Sequence, residues 1–127
     1  MKKIAKIEEL IARVNRGEEV KLNKEGVNPT LYWAYRESLE LKQKYLDFHR
    51  TIWERDIPDI VKQMRADGKR KFTVSNTASG MTETIQEFIK NGCRLSGMTT
   101  VKSHATNWQT GENDIIPAFL LTLKEEQ

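Results

Sequence analysis

The sequence contains little cysteine and no long apolar run. Cys93 is its single cysteine, so an internal disulfide is excluded and a reducing compartment is expected. No apolar stretch approaches the roughly 20 residues of a membrane span. Acidic side chains at Glu8 and Glu9 interrupt the first apolar stretch, which is therefore not typical of a signal peptide. We expect a cytoplasmic protein with no membrane contact.

Motifs of common catalytic sites are also missing. The two histidines, His49 and His104, have no second histidine, cysteine or carboxylate at ligand spacing in the sequence. Neither a G-x-S-x-G elbow nor a phosphate-loop fingerprint is present. We therefore expect no enzyme activity, no catalytic residue, no cofactor and no metal site.

Charge is abundant but nearly balanced. The chain has 21 Lys and Arg against 18 Asp and Glu, a net charge of +3, and 38% hydrophobic residues. This composition is typical of a soluble globular domain. The basic excess lies in residues 1–71, while residues 72–127 are slightly acidic. Such a mild bias excludes an acidic DNA mimic and falls short of the basic stripe of a dedicated DNA binder.

Apolar periodicity predicts three helices in the first half of the chain. Apolar residues recur at spacings of three and four between residues 4 and 14. Asn28 precedes a proline and is expected to cap a second helix that continues to about Phe48. A third helix is predicted from about Asp56 to Ala66.

Alternating patterns then predict strands near 71–75, 94–103 and 115–123, with a helix between the first two. We expect the first two strands to be parallel through a right-handed crossover and the last two to form a hairpin. The predicted fold is a single α+β domain, residues 1–127. Three N-terminal helices (residues 1–70) precede β-α-β-β (residues 71–127), and helices cover a small mixed three-stranded sheet.

Two tryptophans are candidates for partner binding. On a helical projection, Tyr35 and Leu39 fall on the apolar side, whereas Trp33 falls among charged residues. Either a neighbouring element covers Trp33, or Trp33 is an exposed anchor for another protein. Trp108, at the predicted hairpin tip, either folds back on the sheet or recognises a protein or an unpaired base. The candidate partner-binding residues are Trp33, Arg36, Glu37, Glu40, Trp108 and Gln109.

Two other sites are possible from the sequence. Basic residues could bind nucleic acid: Lys62, Arg65, Lys69, Arg70 and Lys71. A loop between strand and helix could bind an anion, or could supply only turn and cap residues: Ser75, Asn76, Ser79 and Gly80.

Several segments carry a family resemblance, among them "NPTLYWAYRESLE", "KFTVSNTASGMTETIQEF" and "NWQTGENDIIPA". From Asn28 to about Ala118 the chain resembles small uncharacterised proteins encoded on conjugative elements and plasmids of Gram-positive gut bacteria. The resemblance implies a setting, an accessory protein of a mobile genetic element. Such proteins counter host defence or regulate transfer, and by this analogy we expect an inhibitor that binds a host defence complex by protein–protein contact. The partner would be a CRISPR effector or a restriction enzyme.

Two alternatives to this function remain. One is a nucleic-acid-binding accessory or regulatory factor that uses the basic helical half. The other is a small nucleotide-binding protein or enzyme centred on the 75–80 loop.

Overall fold

A computed structural model describes residues 6–75 and 80–125 of the chain. The elements, in chain order, are α1 (Lys6–Asn15), α2 (Leu22–Glu25), α3 (Pro29–Glu40), β1 (Leu46–Phe48), a 3-10 turn (Glu54–Asp56), α4 (Ile57–Ala66), β2 (Lys71–Val74), α5 (Met81–Lys90), β3 (Cys93–Thr106) and β4 (Asn113–Leu123). The predicted α+β class is confirmed. Within the described residues, no helix combines the length and the apolar character that crossing a membrane requires.

The helix α3 begins as predicted but ends earlier. The Asn28 side chain accepts hydrogen bonds from the backbone N–H groups of Thr30 and Leu31, at 2.9 and 3.3 Å. The helix ends at Glu40, not near Phe48, and Lys42 turns the chain with a positive φ of 54°. The segment expected as the last turns of this helix instead contains β1.

This early end corrects the predicted burial on α3. Tyr35 is buried as predicted, but Leu39 is 51% exposed and Trp33 is 45% exposed. The prediction that Leu39 lies in the core, and that Trp33 is more exposed than Leu39, is therefore wrong. The physical reason is that Leu39 lies in the last turn, and the helical turns that were expected to extend its apolar stripe do not form.

The sheet has four strands, not three, in the order β1-β2-β4-β3. β1 pairs with β2 in parallel, while β4 pairs with both β2 and β3 in antiparallel. The β3–β4 hairpin is confirmed. β2 and β3 run parallel as expected, because both are antiparallel to β4. They are not neighbours, since β4 lies between them and the hydrogen-bonded parallel partner of β2 is β1.

The two faces of the sheet differ in character. Phe48 and Phe72 lie on one face with the α5 residue Phe88, in ring contacts of 4.8–6.0 Å between centroids. This is the main apolar core. Asp47 and its register partner Thr73 have the opposite orientation, because side chains alternate along a strand.

Side chains from one segment contact both outer strands of the sheet. Asp47 in β1 donates its backbone N–H to the Ser38 hydroxyl at 2.9 Å. Gln43, just after α3, donates from its side-chain amide to the Lys102 carbonyl in β3 at 2.6 Å and accepts from the Lys102 N–H at 3.1 Å. The sheet therefore curls so that β3 approaches the α3–β1 segment.

Candidate functional site

A buried carboxylate on α3 contacts three basic side chains. Glu37 Oε2 lies 2.8 Å from His49 Nε2 and 3.5 Å from His104 Nε2. Its other oxygen, Oε1, accepts a hydrogen bond of 2.8 Å from Arg50 Nε. We call Glu37, His49 and His104 the Glu37 cluster. It joins α3, the residues that follow β1, and β3, through the same curvature that brings Gln43 to Lys102.

The two imidazoles of the Glu37 cluster contact each other. Their rings stack with centroids 3.8 Å apart and an interplanar angle of 26°. Burial lowers the pKa of His49, and the adjacent charge of His104 lowers it further, while Glu37 acts in the opposite direction. Two imidazoles and one carboxylate converge here, a donor set that transition metals accept.

Asp47 forms a second buried polar group close to the cluster. Its two carboxylate oxygens accept hydrogen bonds of 2.7 Å from the hydroxyls of Thr73 and Ser75. Burial raises the pKa of Asp47, while the two hydroxyl hydrogen bonds and the nearby imidazoles act in the opposite direction. A buried carboxylate needs such donors because it has left water. Sequence reasoning missed this group, since the short β1 was interpreted as helix.

Glu37 differs from its predicted setting. It was expected on the exposed side of the helix beside Trp33, but it is buried and paired at both oxygens. The physical reason is that the segment after β1 packs over this part of α3. Arg36 and Glu40, by contrast, form a pair of 3.4 Å at the surface.

All three tryptophans of the chain are exposed. Trp53 is 66% exposed and Trp108 89% exposed, in addition to Trp33. The Trp33 ring forms a T-shaped contact with Tyr32. It remains 45% exposed, so a neighbouring element does not cover it. Trp53 was not among the sequence candidates. The sequence signal for its exposure is its position directly before the charged residues "ERD", in a segment with no clear apolar periodicity.

The tip of the β3–β4 hairpin is an ordered turn. Asn107 accepts hydrogen bonds from the backbone N–H groups of Gln109 and Thr110, at 2.8 and 3.3 Å. Its backbone also pairs with Glu112 and Gly111 at 2.8 and 2.7 Å. Trp108 and Gln109 are thus presented outward by a turn with its own hydrogen bonds.

The basic candidates separate into two grooves. Lys69, Arg70 and Lys71 line a groove of about 490 Å³ together with Lys44 and Arg94. Tyr45 adds an aromatic ring to this groove, with Lys44 Nζ 5.4 Å from its centroid. Lys62 and Arg65 line another groove, of about 480 Å³, beside α4.

The anion-loop candidates are only partly described. Ser75 is buried and donates to Asp47, and Gly80 precedes α5 with a φ of 93°. Asn76 and Ser79 lie outside the described residues. A groove of about 330 Å³ lies between Gly80 and the segment that carries Trp53.

Together these features define a small α+β domain in which a buried carboxylate contacts two partly exposed imidazoles and in which three tryptophans are exposed. The chain belongs to the family described as a domain of unknown function, DUF7698, which matches residues 30–123. This range runs from α3 to β4 and includes the whole Glu37 cluster. Neither a curated protein nor a solved structure matches the chain.

Proposed function

We propose that this chain is a non-enzymatic binding protein that engages another protein through its exposed aromatic side chains. The observation that carries the proposal is the exposure of Trp33, Trp53 and Trp108. Tryptophan offers a large contact area at a low ordering cost and is enriched at the energetic centres of interfaces. A fold of this size that leaves all three outside has large apolar area available for a partner.

Arginines accompany two of these rings and indicate the chemistry of the partner. The guanidinium carbon of Arg36 lies 5.3 Å from the Trp33 ring centroid, and that of Arg55 lies 5.6 Å from the Trp53 centroid. Arg50, paired with Glu37, follows β1 in the same segment as Trp53. We propose that the partner surface combines apolar pockets with carboxylates that pair with these arginines.

The described contacts order the backbone of two elements that carry exposed tryptophans. Asn28 caps the helix that carries Trp33, and Asn107 orders the turn that carries Trp108. His104 ties the hairpin to α3 through Glu37. Ordering these elements in advance reduces the entropy lost on association.

For the partner class we propose a host defence complex, with this chain acting as an anti-CRISPR or antirestriction protein of a mobile genetic element. The support is the resemblance of the sequence segments, together with exposed tryptophans of the kind that dominate protein–protein interfaces. The partner would be a CRISPR effector or a restriction enzyme.

The test starts with affinity purification of the tagged chain from cells that carry both defence systems, followed by mass spectrometry. Binding of the purified effector is then measured for Trp33→Ala, Trp53→Ala and Trp108→Ala. We expect at least one variant to lose about 2 kcal/mol, or roughly thirtyfold in affinity. The matched control is Leu95→Ala, which removes an exposed apolar side chain of β3. Unchanged affinity in all three tryptophan variants contradicts the proposal.

A second candidate function is nucleic-acid binding, which the groove of Lys44, Tyr45, Lys69, Arg70 and Lys71 favours. Basic side chains around an aromatic ring suit a phosphate backbone with a stacked base. Its test is the triple change of Lys69, Arg70 and Lys71 to Ala. Under this function the triple variant binds single-stranded nucleic acid more weakly and with a flatter salt dependence, while the tryptophan variants bind normally.

The third alternative is a nucleotide site at residues 75–80. Ser75 offers no support for it, because the Ser75 hydroxyl is buried and donates a hydrogen bond to Asp47.

A further inference from the structure

We propose that Glu37, His49 and His104 bind one divalent transition-metal ion of the Zn²⁺ class. Metal binding at these residues does not depend on the proposed function. Its donors are the two imidazoles and Oε2 of Glu37, and one ligand atom from each residue lies within 4.8 Å of the other two. Two histidines with one carboxylate form a recurrent zinc donor set that leaves a position open for water or substrate.

The donor atoms of the Glu37 cluster are close to the spacing that one ion requires. Around a tetrahedral zinc with ligand bonds near 2.0–2.2 Å, neighbouring donor atoms are about 3.3–3.6 Å apart. Glu37 Oε2 lies 3.5 Å from His104 Nε2, within this range, and 2.8 Å from His49 Nε2, a hydrogen-bond distance that has to lengthen when an ion binds. Both Nε2 atoms contact the same carboxylate oxygen, and one cation between the three atoms can replace the protons of these contacts once the stacked rings tilt apart.

The surroundings hold the carboxylate in a suitable orientation. Arg50 donates to Oε1 of Glu37, which leaves Oε2 for the ion. Partners of this kind orient metal ligands and tune their affinity. The Arg50 charge opposes a cation, and the Asp47 carboxylate, which interacts with both imidazoles, acts in the opposite direction.

Exposure of the ligands leaves a path for the ion. The Glu37 side chain is 9% exposed, but those of His49 and His104 are 24% and 39% exposed. The fourth position of a tetrahedral ion can therefore face solvent on the histidine side. Imidazole donors favour Zn²⁺, Co²⁺, Ni²⁺ or Cu²⁺ over Mg²⁺ and Ca²⁺, which prefer oxygen ligands.

The test uses the full chain with its affinity tag removed, stripped with chelator and titrated with ZnSO₄ by calorimetry. We expect saturable 1:1 binding, and no comparable binding of MgCl₂. Because His49 and His104 are the only histidines, ¹⁵N spectra of the imidazoles contain two sets of signals, and zinc should shift both. This readout needs no variant and reports on the site directly.

Two ligand variants and one control complete the experiment. His104→Ala and Glu37→Gln should each weaken zinc binding at least tenfold, about the loss seen when even an outer partner of a metal ligand is removed. Glu40→Gln removes a surface carboxylate from the same helix and should bind zinc like the unmodified chain. His104→Ala changes a partly exposed side chain, and circular dichroism checks that it folds. No saturable zinc binding, imidazole signals that do not shift, or unchanged affinity in His104→Ala overturns the proposal.

Discussion

The imidazole rings of His49 and His104 lie face to face, with centroids 3.8 Å apart, and both point to one oxygen of Glu37. His49 follows β1 and His104 lies in β3, which are the outer strands of the sheet. The contact therefore closes the curled sheet on the side where α3 runs. Glu37 supports this closure together with the hydrogen bonds between Gln43 and Lys102, so the removal of Glu37 should lower the stability of the domain.

We predict that Glu37→Ala destabilises the protein by about 2 kcal/mol, because the change leaves His49 without its buried partner. Glu40→Ala, on the exposed side of the same helix, should change stability by at most about 0.5 kcal/mol, since its pair with Arg36 is at the surface. Urea unfolding followed by circular dichroism gives both values. Equal stabilities of the two variants would show that Glu37 does not hold the sheet and helix together.

The second prediction concerns the contribution of Asp47, on the polar face of the sheet, to stability. Asp47→Ala removes the 2.7 Å hydrogen bonds of the buried Thr73 and Ser75 hydroxyls, and Thr73 keeps only a longer contact of 3.4 Å to the Leu46 carbonyl. We expect a loss on the order of 3 kcal/mol, because two hydrogen bonds to a charged group are removed. Ser75→Ala, which removes one donor and leaves the other, should cost less. If Ser75→Ala costs as much as Asp47→Ala, the two hydroxyls do not share the carboxylate as described.

Much of the helical half could be predicted, because its signals are local. Asn28 followed by proline marks the start of α3, and apolar spacing marks α1 and α4. The end of α3 could not be predicted, because Lys42 makes the turn without a glycine or proline to indicate it. As a result β1, with three residues, was hidden in the pattern of a longer helix.

The candidate site was less predictable than the fold for a related reason. Local sequence patterns predict the exposure of two tryptophans. Trp33 lies among charged residues of a helix, and Trp108 lies in a turn. The Glu37 cluster has no such signal. Its members come together only because β1 forms and the β3–β4 hairpin curls towards α3. Neither feature can be predicted from the spacing of residues in the sequence.

The two leucines of α3 test where this helix ends. Leu31 is fully buried, and Leu31→Ala should cost about 2–5 kcal/mol, as truncations in a packed core do. Leu39→Ala makes the same chemical change in the last turn, where the side chain is half exposed, and should cost less than about 1 kcal/mol. Urea unfolding of both variants is the measurement. A cost at Leu39 equal to that at Leu31 would mean that the helix continues and buries it.

The last prediction concerns Cys93 at high pH. Cys93 begins β3 and is fully buried. Burial raises the pKa of its thiol from 9.0 to about 11, and the nearby Arg65 opposes the change only in part. Because the thiol ionises more easily in the unfolded chain, the unfolded chain binds fewer protons between these two values. Stability from this group is therefore intact below pH 9 and falls as pH rises towards 11.

We compare the unmodified chain with Cys93→Ala, which has no thiol to ionise. The stability advantage of the unmodified chain should shrink by about 2 kcal/mol between pH 8 and pH 10.5, since one unit of pKa difference is worth about 1.4 kcal/mol. Val74→Ala is the matched control, because it also removes buried volume beside the sheet but carries no titratable group. Its stability difference should stay constant over the same range. If the Cys93→Ala difference stays constant as well, the thiol ionises equally in both states and is not enclosed by the fold.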